Sequence, residues 1–527
     1  MPIRSQSKNR RKAQSHALHK PRGVVHPRVL AVGPEHFAFV CVDCAKARSK
    51  IMLADFYGRV LLQPTTIVHN QSGFETMLQS TRAAVAQHQI EDVIVVIERT
   101  GRYHGPIQRA WRKAGFEVRI VHPYTTKQYR LPADPGNKTD DTDLSAIHRA
   151  AVNGFGLSEY EPDLIYVQLQ LLARYRRKLV QKRVALQQQM LEHLQSFMPG
   201  YSHCVADVFE SPVILWVARN LGSAAAIVQA DMAGLSQQAR QAGIKVQRST
   251  LEKIVAWARS APSAEEPAWL HRRIFLELDA DQLAKAQSIR AIESELAGPL
   301  TLTPYVLLLG IVGINVVSAA EFAGEMGPIQ RYARARAITG RAGLFPSRYQ
   351  SDQVDRRDGA LVRHANRELR YALLMIADNL IKSNDYFAVL AAGWRLRGKD
   401  ARDVRVQAAG RFSRIAYQMV AGQMTFQHPC TGQRDYILKK LMRFALEHST
   451  APDQLLQNLD AAVAQLPRTA HREEAVALAE ELARVQKQRG AGPHSLGAIL
   501  PAVLVKLEVN LVRSQQSGEL DLTERPS

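Results

Sequence analysis

The strongest constraint on the fold of this chain is a change of hydrophobic periodicity between residues 36 and 154. Residues 37–42, 50–56 and 59–68 predict three successive strands, the last two joined by a turn at Tyr57-Gly58. Helical spacing at 73–86 and at 105–114 then alternates with short apolar strand runs at 93–97 and 117–121. After residue 121, a polar segment rich in Pro, Asp and Gly predicts a loop that leads to a helix beginning near Thr139. The order βββαβαβα predicts a mixed sheet with helices on its faces, the ribonuclease H-like architecture.

Four acids fall where this sheet would gather them. Asp43 ends the first predicted strand and Glu98 ends the fourth, while Asp140 and Asp143 are three residues apart on one helix face. Mg²⁺ prefers carboxylate oxygens, and two such ions about 4 Å apart can hold the attacking and leaving oxygens of a phosphodiester. The set therefore predicts metal-dependent phosphoryl transfer. Taken singly, each acid fits a loop start equally well, and Asp140 or Asp141 fits a helix cap.

The charge balance predicts a polyanionic partner. Lys and Arg number 69 against 49 Asp and Glu, which leaves a formal charge of +20, and such an excess attracts nucleic acid. Residues 1–35 form a basic arm that we expect to be disordered, serving either phosphate contact or solubility. The 46% hydrophobic and 22% charged content excludes wholesale disorder, a collagen-like chain and a polytopic membrane protein.

Four scattered cysteines and an N-terminus without an apolar segment favour a reducing cytoplasm. Cys41 and Cys44 are three apart on a predicted strand, so they would face opposite sides, and we reject a zinc site there. The apolar stretch 303–323 contains a proline and two glycines, which makes it a poor membrane span.

The length of 527 residues predicts several domains. After the arm we expect an α/β catalytic domain at 36–155, a helical coiled-coil spacer and insertion at 156–300, a mainly helical domain at 301–430 and a helical extension at 431–527. The spacer opens with a long helix whose basic face, including Arg174, Arg177 and Lys178, suits helix pairing, phosphate binding or plain solvent exposure. In 308–315, Gly310 and Gly313 suit either a phosphate-binding hairpin or close packing.

Three motifs carry a resemblance to a known family. Residues 42–46, 98–103 and 138–143 resemble the acidic motifs of the DEDD transposases of the IS110 insertion-sequence family, whose first domain resembles RuvC-type junction resolvases. The resemblance implies that Asp43, Glu98, Asp140 and Asp143 form a metal-binding catalytic quartet. Leu144 stands where the family usually has alanine. Lys138 is expected to contact backbone phosphate.

The resemblance continues in residues 342–351 and 366–370, which are similar to the family's C-terminal transposase motif. Ser351 stands at its nucleophile position, with Ser347 and Tyr349 as competing hydroxyls. The chain departs from the motif at Asp352 and Ala365, where glycines are common. Ten arginines between residues 331 and 370 can stabilise developing charge. The predicted nucleic-acid contacts are Lys138, Arg174, Arg177, Lys178, Gly310, Gly313, Arg348, Arg356, Arg357, Asn366 and Arg370.

The resemblance implies a recombinase that moves an insertion sequence by cutting and rejoining donor and target double-stranded DNA. It implies a serine-linked intermediate, two Mg²⁺ ions, a homo-oligomer (dimer or tetramer) with a site composed from both domains, and guidance by a noncoding bridge RNA. We expect the enzyme in the cytoplasm, at the nucleoid and not at a membrane. The alternatives are a structure-selective endonuclease that uses the acids and water with Ser351 idle, and an RNA-binding assembly protein with structural acids.

Overall fold

The computed structural model describes residues 25–133, 136–158, 163–351, 354–356, 359–363, 365–426 and 435–489. The chain forms two compact units that divide between residues 161 and 162. Among the helices of these described ranges, none has the length and apolarity that a bilayer span requires.

The first unit contains the predicted sheet. Its elements are α1 (Val25–Val32), β1 (Phe37–Cys44), β2 (Arg48–Asp55), β3 (Val60–Val68), α2 (Gln71–Gln87), β4 (Asp92–Glu98), α3 (His104–Lys113), β5 (Glu117–Val121), α4 (Pro123–Arg130), α5 (Asp140–Val152) and β6 (Leu157–Ser158). The strands lie in the order β3-β2-β1-β4-β5-β6. β1, β2 and β3 are antiparallel, β4 and β5 run parallel to β1, and β6 is antiparallel to β5. This mixed six-stranded sheet with helices confirms the ribonuclease H-like prediction.

Both faces of the sheet are covered, because the strands alternate two apolar sets. Val40 and Val42 pack with Met77 of α2 and Trp111 of α3. Phe39 and its neighbours Phe37 and Cys41 pack on the other face with apolar residues of α5. A strand buried on both sides needs this near-continuous apolar sequence.

Two segments of the first unit differ from the predictions. Residues 25–32, assigned to the disordered arm, form α1, because Arg28 pairs with Asp92 and Glu117 and Val29 is buried. The segment 123–130, predicted as loop, forms α4 after its N-cap His122. Both helices have eight residues, a length at which tertiary contacts rather than sequence propensity stabilise a helix. Residues 1–24 of the predicted arm lie outside the described residues.

The second unit is mainly helical, as predicted. Its elements are α6 (Leu164–Phe197), α7 (Pro212–Asn220), α8 (Ala224–Gln241), α9 (Arg248–Ser260), α10 (Ala268–Thr301), α11 (Val316–Met326), α12 (Ala335–Ala342), β7 (Tyr349–Ser351), β8 (Val354–Arg356), α13 (Arg367–Ser383), α14 (Asp385–Leu396), α15 (Ala401–Gly422), α16 (Ile437–Glu447), α17 (Pro452–Gln465) and α18 (His471–Arg489). A 3₁₀ helix spans Pro304–Gly310.

The long helix α6 pairs with α10 of the same chain. The Phe197 ring lies 5.4 Å from that of Phe275 near one end. Towards the other end of the helix pair, Arg176 Nε lies 2.6 Å from Glu293 Oε1. The order of these contacts makes the two helices antiparallel. Helix pairing, one of the three interpretations of this segment, therefore occurs between α6 and α10 of the same chain.

The described part of the C-terminal extension is not a separate domain. Leu441 of α16 and Leu459 of α17 belong to the same buried cluster as Leu307 and Phe412. The apolar periodicity of this segment predicted that it is helical. It did not predict that these helices pack into the core of the preceding domain. The predicted boundary near residue 430 falls in residues 427–434, and the extension's end in 490–527, both outside the described residues.

Candidate active site

The strand register brings two of the predicted acids together. β1 and β4 are parallel neighbours, and Val42 is paired with Ile97. The next residues along the two strands are Asp43 and Glu98, on strands about 4.8 Å apart. Since Cys41 packs on the α5 face of the sheet and side chains alternate, Asp43 lies on that same face. Val96 of β4 also packs on the α5 face, so Glu98, two residues further along that strand, lies on the same face as Asp43.

The other two acids stand at the start of α5, which covers this face. Thr139 caps the helix: its hydroxyl accepts the N–H of Thr142 at 3.2 Å, and the Thr142 hydroxyl accepts the N–H of Thr139 at 2.9 Å. Asp140 and Asp143 therefore lie in the first turn, where the helix dipole favours negative charge. Because Thr139 is the cap, the capping role considered for Asp140 and Asp141 does not apply. Asp143 is buried at 7% exposure.

The carboxylates act on one another electrostatically. Burial, and then the charges of Glu98, Asp143 and Asp140, raise the pKa of Asp43 to about 6, although Lys138 opposes the rise. Burial also raises the pKa of Glu98, and the charge of Asp143 adds to that rise. Since the charges of Glu98, Asp140 and Asp143 all act on Asp43, the four acids of the predicted quartet lie in one region. Lys138 is exposed beside it.

Helix α4 supplies two site residues that the sequence did not reveal. The Arg130 guanidinium pairs with the buried carboxylate of Asp143. The hydroxyl of Thr126, which is 1% exposed and has no partner at hydrogen-bond distance among the described residues, lies near enough to Glu98 to oppose the rise in its pKa. No motif marked either residue, since α4 lies in a segment predicted as loop.

The donor set suits a hard divalent cation. Its oxygens are carboxylates, and a bound cation would offset the charges of the neighbouring acids, which add to the effect of burial on the pKa of Asp43. In the described part of the chain, no three His, Cys, Asp or Glu side chains stand close enough to hold a metal ion as they are oriented. Arg130 holds Asp143, and Lys50 Nζ holds neighbouring Asp141 at 2.6 Å. Metal binding by the quartet therefore requires its carboxylates to turn towards one another, and Asp143 to leave Arg130.

The two cysteines of β1 do not form a metal site. Cys41 packs on the α5 face and Cys44 on the opposite face. Burial raises the pKa of Cys44 to about 12, which keeps its thiol protonated at neutral pH.

Ser351 ends β7 of a short hairpin in the second unit, where it pairs with Val354. The residue is exposed, and its hydroxyl has no hydrogen-bond partner among the described residues. The competing Ser347 hydroxyl instead donates to the carbonyl of Ala360 at 2.9 Å. Arg348 reaches across the hairpin, with Nε 2.8 Å and Nη2 2.9 Å from the two Asp355 oxygens. Of the two serines, Ser351 is therefore the one whose hydroxyl has no partner in the part of the chain that the structure describes.

Several predicted nucleic-acid contacts have partners within the chain. Arg174 Nε lies 2.6 Å from Oε1 of Glu325, which is 2% exposed. Asn366 caps α13 and also donates to Glu325, at 3.1 Å. Arg177 pairs with Glu321 and Glu368.

The remaining predicted contacts differ in exposure. Arg370 Nε donates to the carbonyl of Ala342 at 2.8 Å, and Lys178 is exposed. Gly310 is buried beside Ile437, whereas Gly313 is partly exposed. The side chain of Arg356 and all of Arg357 lie outside the described residues. Contact of all these residues with nucleic acid stays a prediction.

Comparison with known families gives two matches. Residues 40–199 match the DEDD transposase model of the IS110 family, described as a transposase. Residues 305–390 match a model described as the transposase IS116/IS110/IS902 family. The first match contains the four acids, and the second contains Ser351 and the 366–370 motif. No curated protein matches the chain.

Proposed function

We propose that this chain, of which residues 40–199 and 305–390 match IS110-family transposase models, is an enzyme of DNA transposition that joins strands through a serine–DNA intermediate. In this proposal Asp43, Glu98, Asp140 and Asp143 hold Mg²⁺, with two ions expected, and Ser351 is the nucleophile. The observation that supports the proposal is the placement of the acids on one face of the sheet, where burial first, and then the charges of Glu98, Asp143 and Asp140, raise the pKa of Asp43 to about 6.

The acids make a site for cation binding beside a phosphodiester. A bound Mg²⁺ supplies positive charge to the non-bridging oxygens and to the leaving oxygen of the phosphate. Asp43 and Glu98 follow residues that are paired on neighbouring strands, so the separation of their backbones is set before DNA arrives and only their side chains must turn. Lys138 is exposed beside them and is positioned to contact a backbone phosphate.

In the proposed intermediate, Ser351 is covalently bonded to the cleaved DNA strand. Its oxygen forms a bond to phosphorus as the bond between phosphorus and a sugar oxygen breaks. The serine loses its proton, and the leaving sugar oxygen gains one. Attack by a hydroxyl of the other DNA strand then reverses these changes and releases the serine. The exposed hydroxyl of Ser351, with no partner among the described residues, supports this role.

A covalent adduct tests the proposal. Wild-type protein incubated with labelled element-end DNA and Mg²⁺, then denatured in detergent, should carry label. Ser351→Ala should lose both the adduct and strand joining, whereas the matched control Ser347→Ala should keep them. Asp43→Asn should lose cleavage altogether.

The same experiment separates the alternatives. If Ser351→Ala still cleaves DNA without forming an adduct, the chain is a metal-dependent endonuclease that uses water. If Asp43→Asn leaves every activity intact, the acids are structural and the proposed chemistry is wrong.

The proposed partners are donor and target DNA, a noncoding bridge RNA and further copies of the chain. The net charge of +20 and the family resemblance support them. Sequencing the RNA that copurifies with the protein tests guidance, because a single RNA encoded beside the gene is expected rather than bulk ribosomal fragments. Light scattering with and without DNA tests for a dimer or tetramer.

A further inference from the structure

The loop from Ile311 to Ile314 is held from inside by buried side chains. It connects the 3₁₀ helix Pro304–Gly310 to α11. Lys440 Nζ donates to the carbonyls of Ile311 at 3.0 Å and Ile314 at 2.7 Å. Asn384, which is 1% exposed, donates through Nδ2 to the carbonyl of Val312 at 3.1 Å. Three of the four loop carbonyls thus have fixed directions.

Lys440 is a largely buried cation, and nearby oxygen atoms accept hydrogen bonds from its ammonium group in place of water. Its side chain is 19% exposed, and its ammonium group lies 2.6 Å from Asp435 Oδ2. All three donors of an ammonium group therefore have acceptors. Lys440 stands on α16, beyond residue 390 where the second family match ends.

The fixed carbonyls determine where the loop's N–H groups point. In a trans peptide, the C=O of one residue and the N–H of the next point in opposite directions. With the carbonyls of Ile311 and Val312 turned to Lys440 and Asn384, the N–H groups of Val312 and Gly313 point away from those side chains. Neither N–H has an acceptor among the described residues, and both residues are partly exposed.

Gly313 is required for this conformation. Its φ is +94°, a value that side-chain-bearing residues rarely adopt. An added Cβ would also lie 3.2 Å from Ser383 Oγ and 3.4 Å from the carbonyl of Asn379. The loop is therefore confined on one side by α13 and on the other by α16.

We propose that Lys440 and Asn384 are positioning residues that hold this loop so that the N–H groups of Val312 and Gly313 bind a DNA backbone phosphate. Successive free N–H groups suit an anion. The C-terminal segment from residue 435 thereby becomes part of the DNA-binding element, although Lys440 itself does not touch DNA. This inference rests on the proposed function.

A pair of adjacent lysines provides the test. Lys440→Met removes the internal cation, and Lys439→Met removes the same charge from the neighbouring position, where Nζ lies 3.7 Å from Glu481. Duplex affinity is measured by fluorescence anisotropy over a salt series, and amide hydrogen exchange is measured for residues 308–316. Lys440→Met should speed exchange in the loop and weaken binding about tenfold, while the salt slope stays unchanged because the lost phosphate contact is made by neutral N–H groups. Lys439→Met should stay within about twofold of wild type, because the Lys439 ammonium group faces Glu481 and does not bind the loop.

A second variant removes the donor directly, so a poorly folded Lys440→Met would not end the test. Val312→Pro deletes one N–H, and Ile311 at φ −95° and ψ 124° already has the extended backbone that a residue before proline adopts. It should weaken DNA binding while the melting temperature holds. The inference is overturned if Val312→Pro binds as wild type does, or if a loosened Lys440→Met loop binds DNA as Lys439→Met does. Wild-type protein that neither binds nor joins DNA would instead refute the proposed function.

Discussion

Replacing Asp43 by asparagine should stabilise the metal-free protein at alkaline pH. Burial and the neighbouring acids raise the pKa of Asp43 from 3.8 to about 6. At about 1.4 kcal/mol per unit the rise corresponds to about 3 kcal/mol, which partial exposure of the carboxyl reduces to about 1–2 kcal/mol. Asparagine keeps the shape of the side chain without the charge.

The sign follows from proton linkage. A carboxyl with a raised folded-state pKa contributes stability that is present below its unfolded pKa and lost as pH rises through about 6. Asparagine cannot ionise, so Asp43→Asn escapes that loss. The variant should exceed wild type at pH 8 and match it near pH 4.

Calorimetry in EDTA measures the effect. At pH 8 the transition of the first unit should rise by about 4 °C in Asp43→Asn. Asp141→Asn is the matched control: it removes the same charge from an exposed position paired with Lys50, and should not stabilise. Adding Mg²⁺ should then raise the wild-type transition and leave that of Asp43→Asn unchanged. An Asp43→Asn protein no more stable than wild type at pH 8 would refute the clustering of the acids.

Three further predictions concern the framework around the site. Arg130→Ala should destabilise the protein by about 3 kcal/mol at pH 8, since it leaves the buried Asp143 unpaired; in a thermal double-mutant cycle, Asp143→Asn should recover most of the loss, and additive losses would show that the pair is uncoupled. Gly324→Ala should cost more than about 2 kcal/mol, because its Cβ would lie 2.6 Å from the backbone nitrogen of Gln170; the control Gly340→Ala has open space and should gain up to about 1 kcal/mol in denaturant unfolding. Glu481→Gln should cost about 2 kcal/mol at pH 7, since hydrogen bonds from Arg443 and Arg484 lower the Glu481 pKa to about 2; the difference should shrink as pH falls from 4.5 to 2, and a pH-independent difference would contradict the linkage.

The sheet could be predicted because its signals are local. Alternating apolar residues in 37–42 and the apolar run 93–97 each indicate a strand within a few residues. The quartet followed from strand ends and from the three-residue spacing of Asp140 and Asp143. Even so, only the register between Val42 and Ile97 explains why Asp43 and Glu98 share a face.

The remaining features depend on contacts between distant segments. Arg28, Arg130 and Lys440 act through partners 13 to 129 residues away, and no local pattern identifies such partners. In the sequence, Arg174 is recognisable by its charge and Asn366 by its motif. Neither feature reveals that both side chains bind Glu325. A basic residue in the sequence thus indicates potential for DNA contact, while the fold decides whether that charge has a partner within the chain.

The most direct test of the central claim is anomalous diffraction from crystals of the protein bound to DNA and soaked in Mn²⁺. The account predicts Mn²⁺ peaks within coordination distance, about 2.2 Å, of carboxylate oxygens of Asp43 and Glu98, with Asp143 released from Arg130 to join them. Mn²⁺ absent from this position in DNA-bound crystals, with Asp143 still paired to Arg130, would contradict it.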